Sequence, residues 1–182
     1  MPRYDVPKAA PEPLRIVQLF VNTSDHEHGR ELLGSPAQLG EWLADALSTT
    51  VARPRRADLD AALELREALR ELLRRNNGLA ADAGAVEVVN RVVRAAGLSP
   101  RLDATRRVTL EPEADGVPGA LGRIVAVALT AVLDGSWSRL KACRRCGWGY
   151  YDYSRNRSAR WCSMSICGNR SKTKAYRRRR TA

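Results

Sequence analysis

Apolar positions along the first 135 residues recur mostly on a helical period. Residues 14–21 (LRIVQLFV) are an apolar run closed by Asn22, Thr23 and Ser24. We read the run as a short buried helix, although period alone allows a strand. Ser35 before Pro36 is a helix start, hydroxyl cap first and proline at the first helical position; Leu39, Trp42, Leu43 and Ala46 then share a face. The clearest element spans residues 58–76. There Leu59, Ala62, Leu65, Leu69, Leu72 and Leu73 make an unbroken stripe, and Glu71 is spaced to pair with Arg74 or Arg75. Asn76, Asn77 and Gly78 close it. A further helix covers residues 83–96 and stops at Gly97. Residues 98–111 read as two short extended segments, followed by a Pro/Gly-rich loop at 112–119. Leu121, Ile124, Val125, Ala128, Leu129 and Val132 define a strongly apolar helix that ends at Asp134 and Gly135. The expected fold is mostly α: a proline-rich disordered lead-in at residues 1–13, then a helical domain at 14–135 with room for one β-hairpin.

Composition changes this picture only at the C-terminus. Hydrophobic residues at 44% and charged residues at 28% are ordinary globular values. The N-terminus has no apolar run of a secretory signal, and no stretch approaches the roughly 20 apolar residues that span a bilayer. The expectation is a soluble cytoplasmic protein, whose thiols stay reduced. Arginine outnumbers lysine 27 to 4, the bias of a GC-rich bacterial genome. Residues 139–182 carry 14 basic side chains and one acid, Asp152, whereas residues 1–138 carry 17 and 19. The whole net charge of +11 therefore sits in the last quarter of the chain, the electrostatic footprint of a polyanion-binding appendage.

All four cysteines lie in that quarter. Cys143 and Cys146 form C-x2-C, and after fifteen residues Cys162 and Cys167 form C-x4-C. Two such pairs bring four thiolates around one tetrahedral zinc ion. A disulfide pairing fits a reducing compartment poorly, and no βαβ pattern surrounds the C-x-x-C to make it a redox pair. So small a segment lacks the apolar surface to fold by burial alone, and zinc supplies on the order of 10–16 kcal/mol in comparable peptides. Four thiolates leave no open coordination position, so the site is expected to be structural. The expected module, residues 136–182, runs in treble-clef order. A knuckle comes first, then a hairpin with Tyr150, Tyr151 and Asp152 on one strand, a turn at 154–157, and Arg160 and Trp161 returning. The second cysteine pair then opens a helix from about residue 165 to 180.

These residues also carry a resemblance. The sequence Cys143-Arg144-Arg145-Cys146-Gly147-Trp148, followed by Asp152-Tyr153-Ser154-Arg155-Asn156, Arg160-Trp161-Cys162-Ser163-Met164 and Cys167-Gly168-Asn169-Arg170, resembles the CGNR-type zinc finger. Upstream, residues 20–23 (FVNT), Leu39 with Trp42 and Leu43, and residues 139–143 (RLKAC) are similar to the ABATE domain that commonly precedes this finger. Proteins of this architecture are described as bacterial stress-induced transcription regulators. The resemblance thus implies a DNA-binding finger behind a helical domain that senses a small-molecule effector or oligomerises. Two positions depart from the family pattern: Gly149 replaces a larger apolar residue, and Ala159 a basic one.

The expected nucleic-acid contacts are Arg155, Arg157 and Arg160 in the hairpin turn, and Arg170, Lys172, Lys174, Arg177 and Arg178 on the terminal helix. Cys167, Ser171 and Ala175 then line the helix side nearest the metal. Trp148 and Trp161 flank ligands and belong to the small core. Double-stranded DNA is the expected partner, with RNA or an acidic protein as alternatives. No enzymatic function is expected: no phosphate loop, nucleophile elbow or carboxylate pair is found. His26 and His28 sit among acids in a polar loop, better read as surface than as a metal site.

Overall fold

The computed structural model describes residues 8–80, 83–102 and 104–180, except for the side chains of 174–176 and 178–180. The ambiguous run at residues 14–21 is helical: α1 spans Arg15–Val21, with Val17, Phe20 and Val21 fully buried. A two-residue strand pair, β1 (Ser24–Asp25) and β2 (Arg30–Glu31), follows. Helix α2 (Pro36–Leu47) starts as its sequence demands, with Ser35 Oγ accepting from the Gln38 amide at 3.2 Å. Helix α3 (Arg56–Asn76) is the long central element; its N-terminus is capped by Asp58, whose carboxylate accepts from the Arg55 amide at 2.7 Å. Helix α4 (Gly84–Ala96) ends at Gly97 in the left-handed conformation.

Strands β3 (Ser99–Leu102) and β4 (Val108–Glu111) form the antiparallel hairpin, with Pro100 opposite Leu110. Helix α5 (Gly116–Leu133) crosses α4 closely, because Gly122 has no Cβ; one built there would lie 2.6 Å from the Ala96 Cβ. By length and composition α5 alone among the described residues could cross a membrane, but 56% of it is buried inside the fold. A 3₁₀ turn (Ser136–Arg139) leads into β5 (Leu140–Ala142), which pairs antiparallel with β6 (Gly149–Tyr151). A wide π-type turn (Met164–Gly168) then opens α6 (Asn169–Arg180).

One apolar core joins α1 to α5. Leu39, Leu43, Leu65, Leu69, Leu73 and Ile124 are all fully buried in it. Leu140, Ala142 and Tyr151 of the C-terminal strands belong to the same core, so the helical part and the zinc module share packing. A second small cluster holds the four cysteines, Trp148 and Tyr150, with Trp161 packed against it.

Two expectations change. Residues 8–13 are not a loose lead-in: the Tyr151 amide donates to Lys8 O at 2.9 Å, and Lys8 Nζ donates to Trp161 O at 2.9 Å. Residues 1–7 lie outside the described residues. The partner of β6 is β5 and not residues 160–161, so the C-x2-C turn is itself the tip of the hairpin. Residues 160–161 run beside that tip, where the Arg144 amide donates to Arg160 O at 3.3 Å.

Candidate metal centre

The hairpin geometry presents the first cysteine pair. The Cys143 amide donates to Trp148 O, and the Gly147 amide to Cys143 O, both at 2.9 Å. Gly147 sits at φ +73°, the left-handed residue that lets the chain reverse around the metal position. The second pair comes from the π-type turn. Cys162 precedes Ser163, whose hydroxyl accepts from the Ile166 amide at 3.3 Å, while the Cys167 and Gly168 amides both donate to Ser163 O at 3.0 Å.

These two turns converge. The four sulfurs all lie within 4.8 Å of one another and are buried. Cys146 and Cys162 are 3.7 Å apart, Cys162 and Cys167 3.7 Å, and Cys146 and Cys167 3.6 Å. A tetrahedron with zinc–sulfur bonds of about 2.3 Å has edges of about 3.8 Å. The spacing therefore fits one zinc ion, and the donor set suits it. Hydrogen bonds from Cys146 and Cys162 favour the thiolate at Cys143, while the neighbouring Cys143 pushes the Cys146 thiol up.

The loop between the pairs is organised by Asp152, a residue whose sequence signal was only that of a lone acid. One carboxylate oxygen accepts from the Ser154 amide at 2.9 Å and the Ser154 hydroxyl at 2.6 Å. The other accepts from the Ala159 amide at 3.0 Å and Lys141 Nζ at 2.8 Å. Burial opposes ionisation of Asp152, but the bonds from Lys141 and Ser154 outweigh it and hold its carboxyl at about 2. Lys141 Nζ also donates to Arg157 O, so the ion pair closes the loop across its base.

The centre is bonded to the helical part by buried polar side chains that periodicity did not reveal. Arg70 of α3, 3% exposed, donates to Gly147 O at 2.8 Å and to Val21 O at 2.7 Å. Its Nε donates to Glu67 at 2.9 Å, and Glu67 also accepts from Arg66. Burial opposes ionisation of Glu67, but Arg70 and Arg66 outweigh it and lower its pKa. Asn22, expected as a helix end, is that, and its side chain reaches further, pairing with the backbone of Gly149. Asn77 Nδ2 donates to Ala142 O at 2.7 Å and Arg160 O at 3.0 Å, while Asn77 O accepts from Arg144 Nε at 2.9 Å.

The sequence-derived basic residues lie on two segments of the module. Arg155, Arg157 and Arg160 are exposed on the loop between the cysteine pairs, and Arg157 Nη1 donates to Ser138 Oγ at 2.8 Å. Arg170, Lys172 and Arg177 are exposed on α6. Lys174 and Arg178 lie within α6, but their side chains, like that of Ala175, lie outside the described residues. Arg170 is engaged: with Arg145 it grips Glu27, whose Oε1 accepts from the two guanidiniums at 2.6 and 2.5 Å. His28 Nδ1 lies 2.7 Å from Asp25, and His26 faces Glu67 at 4.0 Å. The four cysteines are the one metal-binding cluster among the described residues.

The arrangement defines a class: a helical domain joined through a polar seam to a four-cysteine structural zinc finger. Residues 14–136 match the ABATE family, described as "Putative stress-induced transcription regulator", and residues 139–180 match the CGNR zinc finger. The chain belongs to the ABATE family, in the architecture that pairs this domain with a CGNR zinc finger. Neither is an enzyme class. Comparison with curated proteins gives no significant match.

Proposed function

We propose that this protein is a bacterial cytoplasmic transcription regulator that binds double-stranded DNA through its zinc module, while the helical domain senses an effector or mediates oligomerisation. The observation that carries the reading is charge on a braced scaffold. Of the +11 net charge, all lies beyond residue 138, and Arg155, Arg157, Arg160, Lys172 and Arg177 are exposed there. Zinc holds the second cysteine pair at the start of α6, and Asp152 fixes the loop that carries Arg155 and Arg157. Cations on such a frame bind phosphates at low entropic cost and can present guanidiniums to base edges. Lys174 and Arg178 lie within α6 and add to its positive charge, and Arg170 joins the contact when released from Glu27.

The test is an anisotropy titration of the full-length zinc-loaded protein with duplex DNA, and with RNA of matched length, over a series of salt concentrations. If about five phosphates are neutralised, log K against log salt falls with a slope of about −4 to −5. Binding that ignores salt, or that strongly prefers RNA, overturns the reading.

A further inference from the structure

We propose that the cavity between α1, α2 and Trp148 is a binding site for a small aromatic acid that also carries a ring hydroxyl. The cavity measures about 350 Å³ and is walled by Leu19, Leu32, Trp42, Ala46 and Trp148. That is the low end of the range of about 300–1,000 Å³ typical of small-molecule sites, which suits an occupant of one or two rings. Gln18 and Asn22 also line it, and their amides are already used. Gln18 Oε1 accepts from the Ala10 amide at 2.6 Å, and its Nε2 donates to Lys8 O and Gly149 O, each at 3.1 Å. Asn22 is paired with Gly149 at both ends. These two amides therefore ask nothing polar of an occupant, and two indoles beside aliphatic carbons favour a flat ring there.

The polar demand comes from the rim. Arg15 and Asp45 line the cavity and are exposed. Neither side chain has a hydrogen-bond or ion-pair partner among the described residues. A carboxylate suits Arg15, and a hydroxyl donor suits Asp45. A phenolic acid supplies both around a ring, whereas a nucleotide would find one guanidinium and no phosphate-binding loop. The wall has a consequence for the zinc module. Trp148 lies between Gly147, held by Arg70, and Gly149, held by Asn22, so an occupant presses on the residue flanked by two bonds of the seam. That consequence rests on the regulator reading; the binding itself does not.

The experiment uses the zinc-loaded full-length protein, titrated with 4-hydroxybenzoate by calorimetry and tryptophan fluorescence. Saturable binding at one site is expected, with benzoate and phenol each weaker by about tenfold, the loss of one charged or polar contact. Ala46→Trp, which fills the cavity, abolishes binding and leaves zinc content unchanged. Arg15→Gln lowers affinity for both acids about tenfold and spares phenol. No saturable binding, equal affinity for 4-hydroxybenzylamine, or undiminished binding by Ala46→Trp and Arg15→Gln overturns the proposal. A protein that binds the acid but no DNA keeps this site and discards the regulator; the converse result does the reverse.

Discussion

The side-chain amide of Asn22 pairs with the backbone of Gly149 as a neighbouring strand would. Asn22 Nδ2 donates to Gly149 O at 2.9 Å, and the Gly149 amide donates to Asn22 Oδ1 at 2.7 Å. The end of α1 is thereby joined to the first residue of β6, across 127 positions of sequence. Gly149 suits the closeness of the approach: a Cβ there would lie 3.2 Å from Asn22 Oδ1, so the asparagine would have to give by a few tenths of an ångström. What reads in sequence as a missing apolar side chain is the space that the asparagine occupies.

Asn22→Ala removes the acceptor of a buried amide, while Gly149 O keeps Gln18. One unsatisfied buried donor costs about 1–3 kcal/mol. Urea unfolding of the zinc-saturated protein should show that loss in midpoint at unchanged slope. A variant as stable as the parent shows that the pair contributes nothing.

Zinc removal should destabilise the helical part as well as the finger. Leu140, Ala142 and Tyr151 lie in the main core, and Arg70 and Asn77 are satisfied by carbonyls of the module. The protein should bind one zinc per chain, and Cys162→Ser should lose it. Calorimetry is expected to show one cooperative transition that moves to lower temperature with a strong chelator. Two transitions, only one of them sensitive to chelation, would show instead that the cores are independent.

Helix periods and the cysteine pairs were legible because both are local. The stripe on α3 follows from residues three and four apart, and C-x2-C with C-x4-C needs only a turn each. The seam was not legible. Arg66 and Arg70 look in sequence like surface residues of a charged helix, yet their partners Glu31, Val21 and Gly147 lie 35, 49 and 77 positions away. Strand β5 has three residues, too few to show alternation, so the sequence alone pairs β6 with residues 160–161. Asp152 could be counted as an acid; its burial against Lys141 is a tertiary fact.

The buried pair of Lys141 and Asp152 predicts a large and specific loss. Asp152→Asn leaves the ammonium buried without its counter-charge, a change that typically costs about 3–5 kcal/mol. With the folded carboxyl held at about 2, below its ordinary 3.8, the contribution is fully present at pH 7. It is lost only as pH falls from about 4 through 2, so denaturant unfolding at pH 7 reports all of it. A loss below about 1 kcal/mol would mean the loop is held by its backbone alone.

Glu27 occupies the place of an anion between Arg145 and Arg170. Its side chain is 13% exposed, so the contact competes with any phosphate approaching Arg170. Glu27→Gln should raise affinity for duplex DNA and steepen the salt slope by about 1 for each cation freed. Unchanged affinity and slope would place Arg170 outside the DNA contact.

Positioning and base readout should separate along the basic surface. Arg157 is anchored by Ser138, and Arg155 sits on the loop that Asp152 closes, so their backbones are held by bonds on both sides. Base readout needs guanidiniums carried on such a braced backbone, whereas Lys172 and Arg177 along α6 are suited to tracking phosphates. Arg155→Ala or Arg157→Ala is expected to cost about 1–3 kcal/mol on the preferred site and little elsewhere. Lys172→Ala and Arg177→Ala should weaken all duplexes alike. Selection from random duplexes by each variant measures this directly, through the motif recovered and not the amount bound. If the motif from the loop variants matches that of the parent, the module is a non-specific clamp and sequence choice arises elsewhere in the protein.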